Sequence, residues 1–475
     1  MAKRSITETS PIEVYRLLPR TNCGECAEPN CMAFATRLVN REILLESCPP
    51  LYRPEHAAAL AGLEALLAPP VRAVRIGAGN GNRTVTVGGK YVVQRHEFTY
   101  HNPTACAVAV DDGGAPDEIA ARVAAITGFS YNYIGRDLRL DAVAVRSSTG
   151  DPDRFRDAVA TVAKGCDLPL LLCSHDPAVL AAGLEAIPGT RPLLHAADRA
   201  NWREMAEIAL EHACPLAVSA PDDIAGLRSL AGTLREWGLD DLVLDPGTFP
   251  NHGLARTLRN FARCRYAAIR GGDDLLGYPL LGAPIAAWTG AELDPVRCAF
   301  DEAVTASALL SRYADLLVLQ SLEGWAVLPT LLWRFNIYTD PRKPVAVEPG
   351  LREFGTPDRT SPVLVTANYA LTYFTVESDI KSAGVSCYLV VEDTGGLSVE
   401  SAVAGRYFSA AGIAEALRAS GVADRVDHRV LIIPGLAARL SGEAAEATGW
   451  RVLVGPKDSS GLGPFLKERW PPGPA

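Results

Sequence analysis

The sequence predicts an α/β protein in three parts: a small cysteine-bearing module, a central (β/α)8 barrel of the TIM type, and a C-terminal doubly wound α/β domain. Three observations predict it. Four cysteines fall within the first 48 residues as C-x2-C-x4-C-x16-C. From about residue 90 to 335, apolar strand-like runs alternate with amphipathic helix-like runs at a period of about 23 residues. Then "NIYTDPRKPVAVEPG" (336–350) breaks the rhythm with Pro, Asp and Gly, and a second alternating block follows. The expected domains are 1–60, 61–335 and 336–475, the second led by an Ala/Leu-rich linker helix within "RPEHAAALAGLEALLAPP".

The bulk numbers agree with several globular domains, since 475 residues are too many for one ordinary core. The formal charge of -9 argues against nucleic acid as a partner, because phosphate binding needs a basic stripe. No apolar run is long enough to span a membrane. The start "MAKRSITETS" is basic but has no apolar core behind it, so it does not read as a secretory signal, and a cytoplasmic location is expected. Seven of the 11 cysteines are scattered through apolar stretches, among them Cys106, Cys173 and Cys387. They read as small buried hydrophobes, and a disulfide framework is not expected.

The other four have a different character. Cys23 and Cys26 can share one turn, and Gly24 lets the backbone fold tightly between them. Cys31 completes the triplet. Cys48 returns after "MAFATRLVNREILLES", a helix-forming run, and Pro49 and Pro50 then stop regular structure. Four thiolates suit either zinc or an iron–sulfur cluster. Zinc ribbons usually pair two similar knuckles. Here one tight triplet is joined by a distant fourth cysteine, which favours a 4Fe-4S cluster.

In the middle region "LRLDAVAVRS" precedes "DPDRFRDAVATVAKG", and "LPLLLCSH" precedes "DPAVLAAGLEAI". "RPLLHAA", "CPLAVSA" and "DDLVLDPG" are likewise followed by helical runs, and "YPLLGAPIAAW" and "ADLLVLQS" come later. Continuous apolar strands, each with a helix behind it, indicate a parallel sheet buried on both faces. Asp or Asn at several helix starts fits N-capping. The number of units suits a closed barrel better than a flavodoxin-like array. The last block repeats the pattern through "SPVLVTAN", "VSCYLVVEDTGG", "HRVLIIPG" and "WRVLVGPKDSSG".

Ligands of such sheets sit beyond the carboxyl ends of the strands. Those ends, "TANYALT", "EDTGGLS", "PGLA" and "GPKDSSG", are rich in Gly, Ser and Thr and poor in charge. They suit a large ligand with many amide or phosphate groups, such as a corrinoid, and not metal ligation or acid–base chemistry. No D-x-H-x-x-G motif is present, and His428, although it follows Asp427, lies at a strand start and reads as structural. A corrinoid here would be held base-off, without a protein His ligand, which favours Co(I).

At this point the chain resembles a known family, the large (gamma) subunit of the corrinoid iron–sulfur protein of the acetyl-CoA decarbonylase/synthase complex. The matching runs are "LPRTNCGECAEPNCMAFATRL", "GDPDRFRDAV", "LVLDPGT", "NIYTDPR", "SPVLVTANYALTYFTVESDI", "LSVESAVAG" and "GLAARLSG", spread over nearly the whole length. The resemblance implies a 4Fe-4S domain, a barrel and a corrinoid-binding domain. It implies methyl carriage: corrinoid Co(I) accepts a methyl group from a methyl-tetrahydropterin, and methyl-Co(III) passes it to the nickel cluster of acetyl-CoA synthase, reversibly. The cluster reactivates cobalt that has drifted to Co(II). Implied partners are the small (delta) subunit, a methyl-tetrahydropterin methyltransferase, and the acetyl-CoA synthase/CO dehydrogenase subunits.

Carried onto this sequence, the resemblance assigns Cys23, Cys26, Cys31 and Cys48 to the cluster. It assigns Thr366, Asn368, Thr372, Gly396, Leu397, Ser398, Val399, Gly435, Ser459 and Ser460 to the corrinoid, with Ser401 below the corrin face. No side chain is expected to be catalytic, because cobalt is the nucleophile. In the barrel, Asp245 and His175 end strands where barrels place their sites, but both read as caps or loop anchors. Three rival readings remain: a 4Fe-4S electron-transfer protein without corrinoid, a pterin-binding barrel methyltransferase, and a zinc-stabilised structural subunit.

Overall fold

The computed structural model describes residues 9–40, 43–78, 83–91, 93, 102–133, 135–289, 294–336 and 344–471. Its backbone contacts fall into two compact units, one comprising residues up to 131 with 137–340, the other 132–136 with 341 onward. The N-terminal helices share the first unit with the barrel. The division at 340 falls inside the stretch expected to separate barrel from C-terminal domain; residues 337–343 of that stretch lie outside those described.

The barrel has eight parallel strands: Ala105–Asp111, Ala142–Arg146, Leu170–Cys173, Leu193–Ala197, Leu216–Ser219, Leu242–Asp245, Leu281–Gly282 and Leu316–Leu319. Each pairs with the next in sequence, and the last pairs with the first, Leu316 opposite Ala105. The sixth and seventh meet only through a single parallel bridge, Leu244 to Leu280, so the ring is nearly closed. The seventh strand is short because Pro279 and Pro284 flank it and donate no backbone hydrogen bonds.

Small residues such as Ala107, Ala144 and Ala217 fill the barrel interior. An antiparallel ribbon, Ala73–Ile76 with Val85–Gly88, adds Val74, Ile76 and Val87 to the same inner cluster. Asp-Pro pairs open three outer helices: Asp151, Asp176 and Asp294 each cap from their side chains, and Pro152, Pro177 and Pro295 take the first helical position.

The C-terminal unit is a five-stranded sheet in the order Gly350–Phe354, Cys387–Glu392, Val363–Ala367, Val430–Ile433, Arg451–Val454. The first strand is antiparallel and the others are parallel. From Val363–Ala367 the chain adds a strand on one side and then crosses to the other. The gap between Val363–Ala367 and Val430–Ile433 is thus a topological switch point. Sequence reading missed three features: the ribbon, the hairpin Ser130–Tyr133 with Arg136–Arg139, and the edge strand Gly350–Phe354. All three are short, and the hairpin and edge strand carry charges on exposed positions, which hides the alternation a half-buried strand would display.

Candidate functional site

In the N-terminal module, helix Pro11–Leu17 is closed by a capping box between Ser10 and Glu13. The loop before helix Cys31–Val39 winds through left-handed backbone at Arg20, Asn22, Gly24 and Ala27. Nothing lies near the Gly24 α-carbon to exclude a side chain, so its φ of +74° is the reason for glycine there. Three non-glycine residues in that region are a local cost, of the kind found where a loop wraps a bound group. Asn22 stabilises the wrap by accepting a hydrogen bond from the Cys31 N–H at 2.9 Å. Arg53 grips both carboxylate oxygens of Glu25, at 3.0 and 3.1 Å, and so ties the triplet loop to the Cys48 segment.

Cys23, Cys26, Cys31 and Cys48 all line one small cavity. Cys31 and Cys48 are buried, Cys26 is half-buried and Cys23 exposed. Burial pushes the Cys48 thiol up, and charge on the other three cysteines pushes it further. Four such thiolates need positive charge among them. Among the described residues no group of three or more His, Cys, Asp or Glu is placed to hold a single metal ion.

The scattered cysteines are different. Cys106, Cys214, Cys264, Cys298 and Cys387 are buried, while Cys166 and Cys173 are half-buried. Burial pushes Cys106, Cys173, Cys214, Cys264 and Cys387 up to about 12, so these thiols are inert at neutral pH.

At the switch point of the second unit the strand ends open a cavity of about 360 Å³. Leu364, Leu389, Ile432 and Leu462 give it apolar walls, and Thr366, Thr372, Ser398 and Ser459 bring hydroxyls to it. Thr366 is 2% exposed, and its Oγ1 has no hydrogen-bond partner. An unmet buried hydroxyl costs about 1–3 kcal/mol, a cost that a bound ligand would remove.

Of the residues expected to touch a ligand here, Thr366, Thr372, Ser398, Val399 and Ser459 line the cavity. Asn368 does other work. Its Oδ1 accepts from the Thr394 N–H at 3.0 Å, the Thr394 hydroxyl at 2.9 Å and the Gly396 N–H at 2.9 Å, and its Nδ2 donates to Asp393 at 2.9 Å. It is buried and shapes the loop that carries Ser398 and Val399. Gly435 lets two loops cross: its N–H donates to the Pro456 carbonyl at 2.9 Å, and a Cβ would come within 2.7 Å of the Lys457 nitrogen. Gly396 and Leu397 in the loop that carries Ser398, Ser401 in the helix Val399–Gly405 that follows it, and Ser460 in the short 3-10 turn Ser459–Gly461 do not line the cavity. Ser401 is exposed and accepts from the Ser398 hydroxyl at 3.3 Å, and the Ser460 N–H donates to Asp458 at 2.9 Å.

Sequence reading missed Leu371, Thr375, Leu436, Lys457 and Asp458, which also line the cavity. Leu371 and Thr375 are one helical turn apart beside Thr372, so helical spacing could have found them. His428 has both ring nitrogens committed, one to the Ser361 carbonyl at 2.9 Å and one accepting from the Val430 N–H at 3.2 Å.

At the barrel mouth the polar groups around Asp245 and His175 pair with one another. Asp245 accepts from the Gly247 N–H at 2.9 Å and the Ser219 hydroxyl at 3.2 Å, and meets His195 Nε2 at 3.3 Å. His175 pairs with Asp198 at 3.1 Å. Both behave as loop anchors; His195, which sequence reading did not single out, joins them.

A family model described as "CO dehydrogenase/acetyl-CoA synthase delta subunit" matches residues 73–466, and one described as "Putative Fe-S cluster" matches residues 18–50. The acetyl-CoA decarbonylase/synthase complex subunit gamma 1 of Methanosarcina thermophila is 45% identical over 467 residues, covering 98% of this chain and 99% of that protein. This chain belongs to the gamma-subunit family of that complex. The gamma subunit of Methanothermobacter thermautotrophicus is 42% identical over 459 residues, covering 97% and 98%, and that of Archaeoglobus fulgidus is 42% identical over 469 residues, covering 98% and 99%. As a family member, the gamma-type chain works with partner subunits, and the four-cysteine module falls inside the Fe-S match.

Among solved structures, the dihydropteroate synthase of Xanthomonas albilineans overlaps 49% of the chain and 93% of its own length, at 17% identity and a TM-score of 0.34. That overlap is too low to bear on function. Among the described residues no helix is long and apolar enough to cross a membrane.

Proposed function

We propose that this gamma-type chain is the methyl carrier of its complex, with a corrinoid at the switch-point cavity and a 4Fe-4S cluster on Cys23, Cys26, Cys31 and Cys48. When bound, the corrinoid supplies a cobalt centre that accepts and gives up a methyl group, and the cluster supplies the electrons that keep that centre reactive. The observation that carries the reading is the cavity itself. It stands at the switch point, is lined by five of the residues expected for it, and holds a buried hydroxyl without a partner.

The donor set fits. Thr366, Thr372, Ser398 and Ser459 offer neutral hydrogen bonds to amide and phosphate groups, and the leucine and isoleucine walls exclude water. None of the lining residues is His, and His428 is occupied elsewhere, which supports a corrinoid held without a protein imidazole. The residues' part is therefore binding and shielding rather than proton transfer. The methyl donor is a methyl-tetrahydropterin presented by its methyltransferase, and the acceptor is the acetyl-CoA synthase/CO dehydrogenase part of the complex. The small (delta) subunit is the proposed immediate partner. Val296, Phe300 and Val304, an exposed apolar stripe along helix Pro295–Ser311, supply a surface suited to a subunit contact.

The test is metal content and electron paramagnetic resonance of chain purified without oxygen, alone and with the small subunit. About one cobalt and four irons per chain, with a cobalt signal free of nitrogen splitting, is expected. Iron without cobalt, even when corrinoid and partner are supplied, would leave an electron-transfer protein. Zinc in a colourless protein would remove the cluster as well.

A further inference from the structure

Among the residues that line the C-terminal cavity, one carries a positive charge, Lys457. It follows the strand Arg451–Val454, and the backbone just before it is fixed. The Gly455 N–H donates to the Ile433 carbonyl at 2.9 Å, and the Pro456 carbonyl accepts from the Gly435 N–H at 2.9 Å. Pro456 also fixes its own φ. Gly435 leaves no room for a side chain against the Lys457 nitrogen, so the two loops cross in contact. Lys457 therefore starts from a set place on the rim, although its side chain is exposed.

Among the described residues its ammonium has neither an ion pair nor a hydrogen bond. Two carboxylates share the rim, and both stand at helix starts. Asp458 accepts from the Ser460 N–H at 2.9 Å and so caps the turn that leads into helix Leu462–Arg469. Glu400 lies in the first turn of helix Val399–Gly405, where the helix dipole suits a carboxylate. Neither comes within ion-pair distance of Lys457. The remaining polar groups of the wall, such as Thr366, Thr372 and Ser398, are neutral hydroxyls.

We propose that Lys457 selects a corrinoid that carries its phosphate over the phosphate-free precursor. The inference rests on the corrinoid reading and names one residue's part in it. A complete cobamide has neutral amide arms and one anionic group, the phosphodiester that joins the corrin to its lower-base nucleotide. Cobinamide has the same ring and amides but no phosphate. In a base-off corrinoid the nucleotide arm is released from cobalt, which leaves its phosphate free to meet a protein cation. Hydroxyls and apolar walls hold either molecule. A single ammonium on a fixed backbone tells them apart, because lysine meets phosphate as a point charge.

The test uses the full chain produced without corrinoid, alone and with the small subunit. Cobinamide and cobinamide phosphate, which differ only in the phosphate, are titrated by calorimetry into wild type, Lys457→Met and Lys457→Arg. Unchanged melting temperatures establish that both variants fold. Wild type should bind cobinamide phosphate about fivefold more tightly than cobinamide, the fold-change of one exposed ion pair, and the margin should shrink at high salt. Lys457→Met should lose the margin while keeping its affinity for cobinamide, and Lys457→Arg should retain it. Equal affinity of wild type for the two corrinoids, or a margin that survives in Lys457→Met, would overturn the selection by Lys457 and leave the corrinoid reading standing. Binding of neither corrinoid by any of the three chains would overturn that reading, and the role of Lys457 with it.

Discussion

Asp112 and Glu392 stand at equivalent places in the two units and behave in opposite ways. Asp112 follows the first barrel strand and Glu392 ends a strand of the C-terminal sheet; they are 2% and 3% exposed. Burial alone would push both carboxyls up. Asp112, however, accepts from the Ser147, Ser148 and Thr149 hydroxyls and from two backbone N–H groups, at 2.7 to 3.1 Å. Those donors outweigh burial and hold it below the usual carboxylate range. Glu392 has one long hydrogen bond, from the Ser409 N–H at 3.4 Å, and its Oε2 has no partner. Burial, reinforced by the neighbouring charge of Asp393, pushes it up to about 8. Burial raises both carboxyls, and the five hydrogen bonds to Asp112 are what keep it charged. The same contrast separates the two strand-end faces. At the barrel mouth Asp245, Ser219 and His195 satisfy one another, whereas the C-terminal cavity keeps Thr366 unmet.

The contrast can be broken most strongly at Asp112. Replacing it by Ala strands several buried donors and should cost about 4 kcal/mol in urea unfolding. Because its pKa is depressed on folding, its contribution is present above the unfolded carboxylate range and is lost as pH falls through the folded value. A loss below about 1 kcal/mol would mean that water replaces the carboxylate without penalty.

Glu392 should show the reverse sign. Its folded pKa lies above the unfolded one, so the native state loses stability as pH rises from about 4.5 towards 8. Glu392→Gln removes that dependence. The variant should be more stable than wild type by roughly 3 kcal/mol at pH 7, with the two curves meeting below about pH 4.5. Parallel melting curves across that range would show that the carboxyl is solvated after all.

The smallest effect sharpens the cavity side. Thr366→Val keeps the shape and removes the unmet hydroxyl, so the ligand-free chain should be unchanged or about 1 kcal/mol more stable. Corrinoid retention should nevertheless fall about fivefold. Unchanged retention would detach Thr366 from the ligand.

What could be read along the chain follows from short-range chemistry. The cysteine spacing, the strand–helix rhythm, the Asp and Asn helix starts and the Gly/Ser-rich strand ends each depend on residues within a turn or two. The seven outlying cysteines were legible as apolar because of their neighbours. The division of labour among the loop residues was not legible. Asn368 and Thr366 lie two positions apart on one strand end and looked alike as candidates. Only the packed structure brings Thr394 and Gly396 to Asn368 and leaves Thr366 facing the cavity. The reason is physical: a hydrogen-bonding side chain is defined by the partner that reaches it, and here that partner arrives from some twenty-six residues away along the chain. The ribbon packed into the barrel and the antiparallel edge strand were likewise settled by what they pack against, since neither is long enough to announce itself by pattern.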